Sequence, residues 1–135
     1  MISMIVTYDG HLHTTGVHLK SGKQIETDAP VDNNGKGNAF SPTDLLCASL
    51  ASCMMTIMGI TAESKGIPLH KIECSIQKVM ESNPRRVAGI YLDMALENLN
   101  YSEKDQQILS NAALTCPVAK SLHPEIEVRL NISWK

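Results

Sequence analysis

Aromatic side chains are scarce in this sequence: one Trp, one Phe and three Tyr make up 4% of its 135 residues. Its core must therefore be filled by aliphatic side chains and by seven Met, whose flexible thioethers fit irregular gaps. Net charge is also small, since 12 Lys and Arg nearly balance 14 Asp and Glu. A formal charge of −2 gives no electrostatic ground for nucleic-acid or membrane binding, and neither partner is expected. The opening MISMIVTYDG lacks a basic segment followed by an apolar stretch, so no signal peptide is expected. No apolar run approaches the ~20 residues of a membrane span. A cytoplasmic location is the resulting expectation, and there thiols stay reduced. The four cysteines, Cys47, Cys53, Cys74 and Cys116, are accordingly not read as a disulfide framework. They form no CxxC and no Cys/His pair at zinc-ligand spacing, so no metal and no cofactor is expected.

The length suits one domain covering residues 1–135. Short strands are expected at Met4–Tyr8, His13–Leu19 and Gln24–Asp28, separated by turns at Asp9-Gly10 and Ser21-Gly22. The turn formers of 28–37 make a loop. Ser41-Pro42-Thr43-Asp44 then supplies a capping hydroxyl, Pro at the first helical position and a carboxylate two residues later. That helix should run to about Lys65, where Gly66 and Pro68 end it. Leu45, Leu46, Leu50, Met54, Met55, Ile57, Met58 and Ile60 leave it almost no polar face. Such a helix is expected to be buried on all sides, with a partner subunit completing its cover.

Ile72, Cys74 and Ile76 alternate in a following strand, and Ala88 to Leu96 alternate in the next, joined by a hairpin at Glu81-Ser82-Asn83-Pro84. Ser102 and Asp105 cap another helix reaching about Thr115, Cys116-Pro117 breaks it, and a short helix Val118–Leu122 follows. Ile126 to Trp134 alternate in a last strand. The order βββ-α-ββ-αα-β describes an α+β domain with an antiparallel or mixed sheet.

Two cysteines invite a chemical reading. Cys116 precedes Pro117 and so becomes the N-cap of the short helix, where backbone N–H groups stabilise a thiolate. The plainer reading is a small residue suited to a helix boundary. Cys53 lies mid-helix in AlaSerLeuAlaSerCys, 48–53, with no cation nearby in sequence, and inert packing is the simpler reading. Cys74 reads as core packing. Cys47 points well away from Cys53 around the helix, so the two make a poor redox pair.

SerProThrAspLeuLeu, 41–46, leading to Cys53, resembles the helix of the OsmC/Ohr proteins that carries their peroxidatic cysteine. AlaAlaLeuThrCysProVal, 112–118, followed by a strand, resembles their resolving-cysteine segment. The resemblance covers essentially the whole chain and implies an OsmC-like fold with a long buried central helix in an intertwined homodimer. It further implies a peroxidase for organic hydroperoxides, with Cys53 attacking and Cys116 resolving. A dithiol such as a lipoyl group would then reduce the disulfide.

Better-known members activate the nucleophile with an Arg from the N-terminal strands, held by a Glu near the start of the long helix. This chain has no Arg before Arg85, and Thr43 stands where the Glu would be, with Asp44 beside it. Without a cation a buried thiol stays largely protonated near neutral pH. Candidates to activate or orient the thiol are Arg85 and Arg86 at a hairpin tip, His18 on the second strand, and Asp44 or Thr43. Solvation is the simpler account of the arginines, a structural or exposed role that of His18, and helix capping that of Asp44. Two other functions compete. A sulfur or persulfide carrier would use Cys116 and dispense with Cys53, and a non-catalytic protein would bind a small ligand between its subunits.

Overall fold

The computed structural model describes residues 1–134. It contains two compact units, one spanning Met1–Leu46 and the other beginning at Cys47.

The first unit is built on an antiparallel sheet of strands β1 (Met4–Gly10), β2 (His13–His18) and β3 (Gln24–Asp28), in that spatial order. The first turn falls at His11-Leu12, later than the expected Asp9-Gly10. A bulge between Tyr8 and Gly10 carries the strand on, and Gly10, His11 and Leu12 take φ values of +83°, +55° and +62°. Met4, Val6 and Ile25, all more than half exposed, line an apolar dent of ≈ 150 Å³ centred on Gly16. A Cβ on Gly16 would meet Cγ1 of Ile25 at 3.1 Å, so the missing side chain keeps the dent open. The loop after β3 contains one 3-10 turn, Val31–Asn33.

Helix α1 spans Pro42–Lys65. Ser41 Oγ accepts the N–H of Asp44 at 3.1 Å, and the Asp44 carboxylate accepts the N–H of Ser41 at 2.9 Å. This reciprocal capping box satisfies backbone donors that the first turn would otherwise leave unpaired. At the other end Gly66 adopts φ +67°, the left-handed conformation that glycine enters without a Cβ penalty.

In the second unit, α1 buries Cys47, Leu50, Ala51, Met54, Met58 and Ala62. Their spacing of mostly three and four residues makes one face. Burial on all sides is not met within the chain: Ile60 is 58% exposed. The expectation about membrane spans also needs correction. An 18-residue window of α1 has mean hydropathy 1.8, long and apolar enough by composition to cross a membrane. Ser49, Ser52, Thr56 and Gly59 interrupt its apolar run without lowering the average far enough. In this structure its buried face is part of a hydrophobic core.

That core lies against a mixed sheet of β4 (Ile72–Glu81), β5 (Arg86–Leu96) and β6 (Glu127–Ser133). Strands β4 and β5 are antiparallel, with Cys74 opposite Met94; β5 and β6 are parallel, with Leu92 opposite Leu130. The parallel pair needs a crossover. Helices α2 (Glu103–Ala113) and α3 (Pro117–Ser121) supply it. Helix α2 is capped by Ser102, which accepts the N–H of Asp105 at 3.1 Å, and it ends two residues before the expected Thr115. Ile90, Leu92 and Met94 of β5 join Leu109 of α2 in the core, each at most 1% exposed. Ile76 continues the alternation of β4 but is 39% exposed. The α+β order expected from the sequence is the one observed, divided between two three-stranded sheets, one antiparallel and one mixed.

Candidate functional site

The second unit brings two of the sequence-derived candidates together. Cys53, in the middle of α1, is half-buried and packs against the core, close enough to Cys116 to push that thiol's pKa up. Cys116 is fully buried and is the N-cap of α3, with Pro117 in the first turn. Its φ of −65° and ψ of 147° are extended, and its sulfur accepts the N–H of Ala119 at 3.3 Å.

These surroundings pull the Cys116 thiol in opposite directions. Burial is the largest influence and pushes its pKa above the ordinary value, while the Ala119 N–H pulls it down. Cys53 nearby pushes it up again, and the Val118 N–H lowers it. The net direction is upward. Cys116 therefore holds its proton and can donate it towards a negatively charged neighbour. All four cysteines are free thiols. A reactive thiol with a second thiol nearby can be oxidised to a sulfenic acid and condense to a disulfide.

The remaining cysteines are placed differently. Cys47 is 3% exposed on the buried face of α1. Cys74 packs at the edge of the core, its S–H directed to the Ser75 carbonyl at 3.8 Å, and burial raises its pKa.

The candidate activating residues have local roles. Arg86 is held by Glu81 at 2.9 Å and Glu125 at 3.6 Å, and it donates to the Val87 carbonyl at 3.2 Å. Arg85 is exposed at the hairpin tip. His18, exposed at the end of β2, shares a 2.6 Å hydrogen bond with Ser21. Asp44 caps α1, and Thr43 shares a 3.2 Å hydrogen bond with Ser41. Among the described residues, no group of three or more His, Cys, Asp or Glu could hold a metal ion.

Sequence reasoning missed a titratable cluster in the first unit. His13 Nδ1 lies 2.6 Å from Asp28 Oδ1 and its Nε2 3.2 Å from Glu26 Oε1, while Asp28 also accepts the Asn38 N–H at 3.0 Å. The hydrogen bond to Asp28 chiefly raises the His13 pKa, and the same bond lowers that of Asp28. The only signal was register. His13 and Asp28 face each other across β2 and β3, which composition does not reveal.

Comparison with known proteins fits this arrangement. A family model described as OsmC-like protein matches residues 35–131. A crystal structure from Psychrobacter arcticus 273-4 superposes with a TM-score of 0.94 at 50% identity, covering 98% of this chain and 96% of the other. It is provisionally described as an osmotic stress induced and detoxification response protein. An organic hydroperoxide resistance protein OsmC from Legionella pneumophila matches at TM-score 0.76 and 18% identity, with 98% of each chain covered. An OsmC-like protein from Mycoplasma pneumoniae gives 0.77 at 18% identity, over 96% of this chain and 94% of that one. These last two establish likeness of fold. No curated protein sequence matches the chain significantly.

Proposed function

Since the chain belongs to the OsmC-like protein family, we propose that it is a thiol-dependent peroxidase acting on organic hydroperoxides. The observation that carries this reading is the proximity of half-buried Cys53 to buried Cys116, whose pKa it raises. The Cys53 thiolate attacks the terminal peroxide oxygen, the O–O bond breaks, and the alcohol leaves after taking up a proton. The Cys53 sulfenic acid then condenses with the Cys116 thiol, releasing water and leaving a disulfide. Proximity of the thiols favours condensation before a second peroxide can over-oxidise Cys53. Ile57, one helical turn beyond Cys53, gives that face of α1 an apolar side chain suited to an organic substituent.

The reductant in this reading is a dithiol such as a lipoyl group, and the location is cytoplasmic, where free thiols persist. The protein acts as a homodimer. Exposed Ile60 on α1, and exposed Met4, Val6 and Ile25 on the first sheet, are apolar surfaces that a second copy would cover. A sulfur carrier working through Cys116 is less well supported, because that sulfur has no solvent exposure through which to meet a donor.

Steady-state consumption of cumene hydroperoxide with dihydrolipoamide as reductant tests the proposal. Turnover that disappears in Cys53→Ser supports it. Turnover unchanged in that variant overturns it.

A further inference from the structure

The thiol pair is asymmetric, and the asymmetry bears on how its disulfide would be reduced. We propose that the reducing thiolate attacks Sγ of Cys53 and that Cys116 is the leaving group. The proposal deepens the peroxidase reading and rests on it for the existence of a Cys53–Cys116 disulfide in the catalytic cycle.

Thiol–disulfide exchange requires that the attacked sulfur be accessible, and it runs faster when the departing sulfur is the better stabilised thiolate. Access is the requirement that separates the two cysteines. Cys53 is half-buried, whereas Cys116 is 0% exposed, so an external thiol meets Cys53 first. The Cys116 sulfur already accepts the Ala119 N–H at 3.3 Å. Such bonds strengthen as charge develops on the acceptor. They offset part of the burial that raises the Cys116 pKa, and access to Cys53 selects the sulfur that is attacked. Helix α3 has five residues, so the bonded N–H acts here and no long macrodipole is needed.

The step balances as follows. The incoming thiol gives up its proton and its sulfur bonds to Cys53. The Cys53–Cys116 bond breaks, its electron pair goes to Cys116, and Cys116 takes up a proton. With a dithiol, the second thiolate then attacks the first reductant sulfur and expels Cys53 as a thiolate. The dithiol leaves as a cyclic disulfide, and two electrons have passed to the cysteine pair.

The test uses the full chain, oxidised with one equivalent of diamide so that disulfide formation does not depend on peroxide. A brief pulse of 2-mercaptoethanol is quenched with acid, free thiols are blocked with N-ethylmaleimide, and the peptides are read by mass spectrometry. Mercaptoethanol on Cys53 with maleimide on Cys116, in roughly tenfold excess over the reverse, is expected. An even distribution, the reverse pattern, or failure of diamide to join Cys53 to Cys116 overturns the proposal. A parallel sample treated with alkyl hydroperoxide separates the two claims. If diamide forms the disulfide and peroxide does not, the peroxidase reading falls, while the exchange pattern still decides which sulfur is attacked.

Discussion

Cys53, at the middle of a 24-residue helix, lies close enough to Cys116, the N-cap of a five-residue helix, to raise its pKa. The two are 63 residues apart in the chain. Folding α1 and the α2–α3 crossover into one core brings them together, and their different settings lead to distinct expectations.

Access should decide the order of alkylation. With limiting iodoacetamide under native conditions, Cys53 is modified first, while Cys116 and Cys47, at 0% and 3% exposure, resist until the protein is unfolded. The raised pKa of Cys116 acts in the same direction, because the thiol is a poor nucleophile. Peptide mapping checks this, and equal rates at Cys53 and Cys116 would contradict it.

The capping box should contribute measurably to stability. Ser41→Ala removes the acceptor for the Asp44 N–H at a position only 1% exposed. A loss of ~1–2 kcal/mol is expected, at the upper end for N-caps because water cannot readily replace the bond. Urea unfolding of the variant and parent gives the difference. A loss below a few tenths would show that the cap is dispensable.

Met58, 0% exposed on the buried face of α1, offers a test of the core. Met58→Ala should cost about 2–5 kcal/mol, with the value set by how far the neighbours close the cavity. A denaturation midpoint unchanged from the parent would place that face outside the core.

The His13–Asp28 pair should give a bounded pH dependence. The His13 pKa is raised above 6.5, so its contribution is full below 6.5 and is lost as pH rises through the folded-state value. The Asp28 pKa is lowered below 3.8, so its contribution is present above 3.8 and lost as pH falls through the folded-state value. The pair therefore stabilises most between those limits. Comparing Tm for His13→Gln and the parent across pH should show the largest gap at mildly acidic pH, closing in alkali. A gap independent of pH would contradict ionic pairing.

The elements legible in the sequence were those governed by local chemistry. Ser41 with Asp44, Ser102 with Asp105, and Cys116 before Pro117 are short-range capping patterns, and each marks an observed helix start. The turn at His11-Leu12 was not legible, because positive φ at two non-glycine residues leaves no compositional mark. The division into two sheets and the meeting of His13 with Asp28 depend on strand pairing over distance. His18 shares strand β2 with His13 and is marked as a candidate base by residue type alone, since histidine has a near-neutral intrinsic pKa. Its observed partner is nearby Ser21.

The central claim is tested most directly by mass spectrometry of the pre-reduced protein after one equivalent of an alkyl hydroperoxide, with Cys53→Ser and Cys116→Ser alongside. The account predicts a Cys53–Cys116 disulfide in the parent and sulfenic acid on Cys53 in Cys116→Ser. Cys53 remaining reduced in both, while a control thiol peroxidase reacts, would contradict it.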